Sequence, residues 1–214
     1  MAMMAFFKLI LSMLSGYFLG SINTAILVGK SYKVDLKKQG SGNAGMTNAY
    51  RVLGAPAALM VLLGDVLKAI LACFLGFVLT RNELGSGSFF DLEYANLGLM
   101  LAGTSCILGH IYPLFFKFKG GKGVLTSVVV IFLMDYRIAA ICMCVFIIIL
   151  LLTKYVSLGS IFAALSFPIV SLIFKKPLYF LVYAIAISIL LLIMHRKNIE
   201  RLIKGTESKV RIGN

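Results

Sequence analysis

Seven long apolar runs, separated by short polar segments, constrain this 214-residue chain more than any other feature of its sequence. The runs cover residues 5–28, 55–79, 94–111, 124–134, 138–153, 158–174 and 178–194. A helix needs about 20 apolar residues to cross a bilayer, so the fourth and fifth runs are short and need residues from their flanks. Merging these two runs, or counting one as re-entrant, is the alternative topology. With 60% hydrophobic and 14% charged residues, the sequence predicts an all-α polytopic membrane protein with seven transmembrane helices in a single domain, residues 1–214.

The first apolar run resembles a secretory signal in its position. It lacks a small-x-small cleavage site after a compact apolar core. Its Gly16, Gly20 and Ser21 resemble a face on which another helix packs closely. We therefore expect it to be a span of the mature protein.

The positive charge is distributed unevenly between the polar segments. The net charge is +13, and if residues 30–51 are cytoplasmic, fifteen of the 21 Lys and Arg residues lie on that side. These are Lys30, Lys33, Lys37, Lys38, Arg51, Lys117, Lys119, Lys122, Lys154, Arg196, Lys197, Arg201, Lys204, Lys209 and Arg211, opposed by Asp35, Glu200 and Glu207. The other side has Arg81, Arg137, Lys175 and Lys176 with Glu83, Asp91, Glu93 and Asp135. The positive-inside rule then predicts an outside N-terminus and a cytoplasmic C-terminus, and it explains most of the basicity without a nucleic-acid partner.

The first polar segment that suggests chemistry is 40–51, which follows a basic stretch. Its glycines and small polar residues favour a turn that opens into a helix, whose first N–H groups would bind an anion together with a basic side chain. An ordinary polar capping loop is the alternative. The density of hydrogen-bonding side chains favours an anion site; they are Ser41, Asn43, Thr47, Asn48 and Arg51.

The second segment, 109–126, places three lysines and several glycines between two apolar runs. Glycine lets backbone N–H groups approach a ligand closely, and lysine supplies positive charge, so the segment suits a phosphate. The nucleotide-binding P-loop pattern fails, because Lys122 is followed by Gly123 instead of Ser or Thr. A basic loop that merely obeys the positive-inside rule is the alternative, and it suits Lys117. We expect anion contact from Lys119 and, above all, from Lys122.

Two further segments lie on the same predicted face. Segment 153–160 connects two runs, and Ser157 there is expected to cap a helix. In segment 195–207, His195, Asn198 and Arg201 recur every third residue and share one helical face. A basic helix lying on anionic lipid is the alternative for the latter segment. Glu207 is expected to pair with a neighbouring Arg or Lys.

Charged residues inside the spans and absent motifs narrow the chemistry. Asp65 and Lys68 share a helical face, so we expect a buried structural pair. Neither His110 nor His195 begins a His-x4-Asp arrangement, no Gly-x-Ser-x-Gly elbow occurs, and the carboxylates do not form a metal cluster. Positioning and charge neutralisation are therefore expected to replace a strong protein base.

Taken together, these segments resemble the bacterial acyl-phosphate-dependent glycerol-3-phosphate acyltransferase family, PlsY. The matching residues are Ser41 to Asn48 with Arg51, Gly109 to Val124, Ser157 to Ser160, and His195 to Ile199 with Arg201, Leu202 and Gly205 to Glu207. Ala44 and Leu125 depart from the pattern, where Pro and Ala are usual. The resemblance implies transfer of an acyl group from acyl phosphate to the 1-hydroxyl of glycerol 3-phosphate, at the cytoplasmic face of the bacterial inner membrane. It implies neither metal nor cofactor, no need for acyl-CoA or acyl carrier protein, and no obligatory protein partner.

The resemblance also implies roles for individual residues. Lys122, His195 and Asn198 would hold glycerol 3-phosphate, with Ser160 completing that side, whereas Ser41, Asn43 and Arg51 would hold the phosphoryl group of the acyl phosphate. The six expected catalytic residues are Ser41, Asn43, Arg51, Lys122, His195 and Asn198. The expected substrate-binding residues are Gly45, Thr47, Asn48, Lys119, Gly120, Gly121, Gly123, Ser160 and Arg201. A transporter of a phosphorylated solute, and a structural protein on the membrane surface, are the alternative functions; the former should show internal repeats and broken helices at the midplane.

Overall fold

The computed structural model describes residues 2–82 and 97–210. Ten α-helices lie in this part of the chain: α1 Ala2–Ser21, α2 Thr24–Ser31, α3 Met46–Leu53, α4 Ala55–Thr80, α5 Leu97–Ile111, α6 Val124–Met134, α7 Tyr136–Thr153, α8 Val156–Ile173, α9 Leu178–Met194 and α10 Arg196–Ile203. A 3-10 helix, Leu114–Phe116, follows α5. All seven apolar runs are therefore helical where they are described, and the first is divided between α1 and α2. The start of the third run at residue 94 and the charges of Glu83, Asp91, Glu93 and Arg211 lie outside the described residues.

Five helical stretches in the described ranges are long and apolar enough to cross a bilayer, and the bent pair α9–α10 would make six. Helix α6 has only 11 residues, which corresponds to a length of about 16 Å, roughly half of the hydrocarbon core. The prediction of a helical, multi-pass membrane protein is confirmed. The number of seven spans and the orientation of the termini stay predictions.

Large apolar side chains cover the outer faces of these helices. Leu63 and Leu67 on α4 are 60% and 58% exposed, and Leu152 on α7 is 77% exposed. Continuous apolar surface of this kind is rare on soluble monomers, whereas it is required where a helix meets lipid.

The chain divides into two compact units, Met1–Asp135 and Tyr136–Asn214, here called the N-terminal and C-terminal units. In the N-terminal unit, α1 packs against α4 and α5. A Cβ atom added at Gly16 or Gly20 would collide with the carbonyl oxygens of Ala102 and Cys106 on α5. The two helices approach this closely because the glycines lack side chains, which confirms the predicted packing face.

The polar end of the N-terminal unit rests on its own small core. Helices α2 and α3 pack on α4. Buried apolar residues from these helices and from the turn between them form one cluster: Ala25, Val28, Leu36, Ala49, Ala57 and Val61. This cluster fixes segment 40–51 against α4.

In the C-terminal unit, α8 packs between α7 and α9, and α10 contacts both α8 and α9. Phe167 of α8 meets Phe180 and Tyr183 of α9 edge to face. The Ser188 hydroxyl on α9 donates a hydrogen bond to the carbonyl oxygen of Ala164 at 2.6 Å. These contacts hold α9 against α8, and α9 leads directly into segment 195–207.

Candidate active site

The turn before α3 is held together by the side chain of Asn48, which is fully buried. Its amide nitrogen donates to the carbonyl oxygens of Leu36 and Gln39 at 2.8 and 3.1 Å. Its amide oxygen accepts the backbone N–H of Ser41 at 2.8 Å. These three bonds hold the turn in its conformation. A substrate contact of its side chain stays a prediction.

Helix α3 begins directly after Gly45, which confirms the predicted turn that opens into a helix. The N–H groups at the start of a helix have no intrahelical acceptor, so the start of α3, at Met46 and Thr47, is a favourable place for an anion. The side-chain amide of Asn43 lies close to Gly45. Arg51 is half-buried in the last turn of α3. This end of the N-terminal unit therefore offers backbone donors, an amide and a guanidinium within one short segment.

The N–H groups of two glycines in segment 109–126, Gly120 and Gly121, bond within the protein, whereas substrate contacts of Gly120, Gly121 and Gly123 stay predictions. The N–H of Gly120 donates to the Ile111 carbonyl oxygen at 3.0 Å, and the N–H of Gly121 donates to that of His110 at 3.1 Å. A Cβ atom on Gly120 would collide with the His110 carbonyl oxygen, and one on Gly121 would collide with the His110 ring. Both residues therefore let the segment fold back on the end of α5, and their N–H groups are engaged within the protein.

Segments 40–51 and 109–126 of the N-terminal unit meet at Gly121. A Cβ atom on Gly121 would lie only 2.7 Å from the carbonyl oxygen of Ala44. The same carbonyl oxygen accepts a hydrogen bond of 3.4 Å from the side chain of Asn23, the N-cap of α2. Segments 40–51 and 109–126 thus lie against each other and form adjoining parts of one surface.

A buried charged cluster supports this surface. Lys68 Nζ lies 2.8 Å from Asp65 Oδ1 and 3.0 Å from His110 Nδ1. It also donates to the carbonyl oxygens of Gly20 and Ile22 at 3.2 and 2.9 Å. Those carbonyls belong to the break between α1 and α2, where helical hydrogen bonds end. The predicted Asp65–Lys68 pair is confirmed, and His110 is an additional member that the sequence analysis did not identify.

The lysines of segment 109–126 differ in exposure. Lys122 is half-buried and precedes Gly123, the N-cap of α6, whereas Lys117 and Lys119 are exposed. A cation that is partly withdrawn from water binds a phosphate more strongly than a fully solvated one. Lys122 is therefore the best candidate in this segment for direct contact with a substrate.

In the C-terminal unit, Glu207 organises the predicted residues. Its Oε1 accepts hydrogen bonds from Ser157 Oγ and Asn198 Nδ2, both at 2.8 Å, and its Oε2 accepts one from Arg201 Nε at 2.6 Å. Burial alone would raise the pKa of Glu207, but these three donors and the charge of Arg201 outweigh burial and lower the pKa. The carboxylate is therefore ionised, and the predicted pairing with a neighbouring Arg is confirmed.

The C-terminal segment reaches this position through a well-defined helix end. After α10, the N–H groups of Gly205 and Thr206 donate to the carbonyl oxygens of Leu202 and Arg201 at 3.2 and 2.8 Å. This pattern is a Schellman motif, which turns the chain back towards the helix it has just left. Glu207 follows directly and so comes to lie beside α10 and the start of α8.

His195 lies at the junction of α9 and α10 and is 2% exposed. Its Nδ1 is 2.8 Å from the carbonyl oxygen of Leu191. Because a carbonyl oxygen can only accept, Nδ1 carries a proton in this bond. The ring orientation is fixed by this bond, as a substrate-binding imidazole requires.

The serines of segment 153–160 differ from expectation. Ser157 was predicted to cap a helix, which is wrong: it lies inside α8, and its hydroxyl donates to Glu207. Ser160 is buried, and its hydroxyl donates to the Val156 carbonyl oxygen at 2.9 Å. Its role towards a substrate stays a prediction, as does that of Arg201, whose Nε is already bonded to Glu207.

Comparison with known proteins shows which sequences this chain resembles. A family model described as glycerol-3-phosphate acyltransferase matches residues 10–205. A glycerol-3-phosphate acyltransferase of Shouchella clausii is 42% identical over 208 residues, which cover 95% of this chain and 96% of the relative. Glycerol-3-phosphate acyltransferase 2 of Bacillus anthracis is 39% identical over 202 residues, covering 94% of this chain and 98% of the relative.

Two crystal structures are also similar to this fold. Both are of PlsY (YgiH), an integral membrane glycerol 3-phosphate acyltransferase. The glycerol 3-phosphate form has 35% sequence identity and a TM-score of 0.81, covering 97% of this chain and 96% of the other. The lysophosphatidic acid form has 33% identity and a TM-score of 0.80, covering 95% of each chain.

Proposed function

This chain belongs to the glycerol-3-phosphate acyltransferase family, and from that premise we propose that it takes its fatty acyl group from an acyl phosphate. The enzyme acylates the 1-hydroxyl of sn-glycerol 3-phosphate and forms lysophosphatidic acid, the first step of phospholipid synthesis. Phosphate is the second product if the donor is an acyl phosphate. The chain is a multi-pass membrane acyltransferase.

The proposal of an acyl phosphate donor rests on the carboxylates, which already have partners within the protein. Within residues 2–82 and 97–210, every carboxylate makes a hydrogen bond, an ion pair or another electrostatic interaction; these residues are Asp35, Asp65, Asp135, Glu200 and Glu207. None of them is thus well placed to act as a strong general base. An acyl phosphate is a mixed anhydride with a good leaving group, so it demands mainly orientation of the reactants and neutralisation of their charge.

In the C-terminal unit, we assign His195 and Asn198 to glycerol 3-phosphate. Glu207 holds the Asn198 amide, and the Leu191 carbonyl oxygen holds the His195 ring, so both side chains have fixed orientations. His195 Nε2 is the nitrogen assigned to the substrate, as a hydrogen-bonding group. The departing phosphate would itself accept the proton of the attacking hydroxyl group.

In the N-terminal unit, we assign Lys122 to the phosphate of glycerol 3-phosphate. Ser41, Asn43, Arg51 and the first N–H groups of α3 would hold the phosphoryl group of the acyl phosphate. A guanidinium and backbone N–H groups stabilise the charge that collects on that group as the acyl carbon is attacked. The clash expected at Gly121 explains why a side chain is excluded beside Lys122.

The predicted membrane placement is part of the proposal. The excess of Lys and Arg in the polar segments supports an active site on the cytoplasmic face of the bacterial inner membrane. It also supports an outside N-terminus and a cytoplasmic C-terminus. Seven spans would require α6 and its flanks to count as one span. We also propose that residues 1–214 form a single functional domain.

Enzyme assay distinguishes this function from the transporter alternative, which the family assignment does not favour. Purified protein should release lysophosphatidic acid from palmitoyl phosphate and glycerol 3-phosphate. A transporter would instead exchange labelled glycerol 3-phosphate across proteoliposome membranes without forming lysophosphatidic acid, and that result would overturn the proposal.

A further inference from the structure

A basic cavity of about 570 Å³ lies in the N-terminal unit, where α2 ends beside the 3-10 helix. Four lysines line it, Lys30, Lys33, Lys37 and Lys117, against a single carboxylate, Asp35. That carboxylate accepts the backbone N–H of Lys37 at 3.0 Å, so it also helps to form the turn. The cavity therefore has a strong excess of positive charge.

The cavity also has an apolar wall. Val34 and Leu36 line it from one segment, and Phe115 and Phe116 line it from the other. Lys30 Nζ lies 5.3 Å from the centre of the Phe116 ring, which places an ammonium group directly beside apolar surface. A ligand that matched both parts would be an amphiphile with an anionic head.

The lysines crowd one another. Partial burial lowers the pKa of Lys37, and the charges of Lys119 and Lys30 lower it further, whereas Asp35 acts in the opposite direction. A bound anion would offset this repulsion. The arrangement thus has the electrostatics of a site that is more stable when an anion occupies it.

We propose that this cavity is an accessory binding site for the head group of a phosphate monoester lipid at the membrane interface. A phosphate monoester carries a charge of about −1.5 to −2 at neutral pH, which suits several ammonium groups better than the single charge of a phosphodiester. The apolar wall favours a lipid over free phosphate, because it can cover the part of the acyl chain next to the head group. None of the cavity residues named here is assigned to catalysis.

Lysophosphatidic acid is the appropriate probe, a choice that rests on the proposed function because that lipid is the product of the reaction. Native mass spectrometry of the purified protein in neutral detergent counts the bound lipids. We expect the wild type to bind two molecules, one at the active site and one in the cavity. The binding measurement needs no turnover, so it can fail while the acyltransferase assay succeeds, and the reverse.

The test variant is Lys30→Gln, Lys33→Gln and Lys117→Gln combined. Each lysine near a membrane surface is worth about a fivefold change in affinity for an anionic lipid, so the cavity should bind roughly 100-fold more weakly. The control removes the same charge from elsewhere, by Lys175→Gln, Lys176→Gln and Lys204→Gln, and should still bind two lipids. Equal binding by test and control variants would overturn the proposal.

A second variant distinguishes loss of charge from a folding defect in the first variant. Lys33 and Lys117 both have φ of 56°, a left-handed conformation that favours glycine. Lys33→Gly with Lys117→Gly therefore removes two ammonium groups without adding strain, and should weaken cavity binding about 25-fold while thermal stability is retained. Unchanged binding in this variant would also overturn the proposal.

The nature of the ligand is tested in the same experiment. Lysophosphatidylcholine, a zwitterionic phosphodiester with the same acyl chain, should not fill the cavity. Inorganic phosphate at the concentration of the lipid should not displace it. If lysophosphatidylcholine bound equally well, or if inorganic phosphate displaced the lipid, the assignment to a phosphate monoester lipid would be wrong.

Discussion

Lys68 Nζ lies 3.0 Å from His110 Nδ1, so a buried cation on α4 supports a histidine on α5. The ring of that histidine lies against Gly121, where segment 109–126 folds back. The same ammonium group is paired with Asp65 and satisfies carbonyl oxygens at the break between α1 and α2. One buried charge therefore connects three helices to the segment that carries Lys122.

Replacing this charge should be costly. Lys68→Met would leave Asp65 buried without its cation and two carbonyl oxygens without a donor. We expect the free energy of unfolding to fall by about 3–5 kcal/mol, as found when one partner of a buried ion pair is removed. Thermal unfolding in detergent, followed by intrinsic tyrosine fluorescence, measures the effect.

The double variant Asp65→Asn with Lys68→Met is the control, because it buries no unpaired charge. It should be more stable than Lys68→Met alone. If the losses in unfolding free energy of the two single variants, Asp65→Asn and Lys68→Met, simply added in the double variant, the pairing would have no energetic importance.

Acidification should loosen the C-terminal unit through Glu207. The pKa of Glu207 is lowered below its ordinary value of 4.5, so folding favours the ionised carboxylate. The ionised carboxylate therefore stabilises the fold above pH 4.5, and this stabilisation is lost as the pH falls through the lowered pKa. In Glu207→Gln, the three donors lose a charged acceptor, which should cost about 1–3 kcal/mol at neutral pH. The stability of wild type and variant should then converge as the pH falls below 4.5 and through the lowered pKa of Glu207.

Glu200→Gln is the matched control for this prediction. Glu200 also accepts a 2.6 Å hydrogen bond, from Lys204, but both side chains are more than 60% exposed. Exposed ion pairs contribute about 0–1 kcal/mol, so this variant should follow the wild-type pH dependence closely. Parallel curves for wild type and Glu207→Gln would show that Glu207 does not contribute through its charge.

His195→Asn separates a binding role from proton transfer. The Asn amide can keep the bond to the Leu191 carbonyl oxygen, but it lacks the second ring nitrogen, so thermal stability should be nearly unchanged. Loss of a hydrogen bond to a charged substrate should raise KM for glycerol 3-phosphate about 10- to 100-fold, with kcat largely retained at saturation. An unchanged KM with a kcat reduced by orders of magnitude would instead identify His195 as the general base.

The local features of this site could be predicted from the sequence. The helix that opens after Gly45 follows from turn-forming residues ahead of a helix-forming stretch. The Asp65–Lys68 pair follows from a three-residue spacing on one helix. The pairing of Glu207 with a basic neighbour follows from the excess of Lys and Arg in segment 195–207. Each of these patterns is short in sequence, so local rules apply.

The long-range features could not be predicted in this way. Nothing in the local sequence shows that His110 meets Lys68, 42 residues away, or that Ser157 donates to Glu207, 50 residues away. In sequence, Gly120 and Gly121 suit both a phosphate loop and close packing of backbones. Only the packing against α5 reveals that their N–H groups are engaged in the fold.

Lys122→Ala tests the assignment of the glycerol 3-phosphate site in the N-terminal unit. Removing an ammonium group that contacts a phosphate should raise KM for glycerol 3-phosphate about 10- to 100-fold. Lys38→Ala is the control, since Lys38 is an exposed lysine of the same unit outside the proposed sites, and its kinetics should match the wild type. Wild-type transfer by Lys122→Ala at low glycerol 3-phosphate would contradict the assignment.

The identity of the acyl donor can be established by comparing two donors in one assay. Purified protein is incubated with labelled glycerol 3-phosphate and either palmitoyl phosphate or palmitoyl-CoA, in the absence of acyl carrier protein, and lysophosphatidic acid is quantified. We expect product from palmitoyl phosphate, with an equal amount of phosphate, and none from palmitoyl-CoA. Lysophosphatidic acid formed from palmitoyl-CoA but not from palmitoyl phosphate, in the same folded sample, would contradict it.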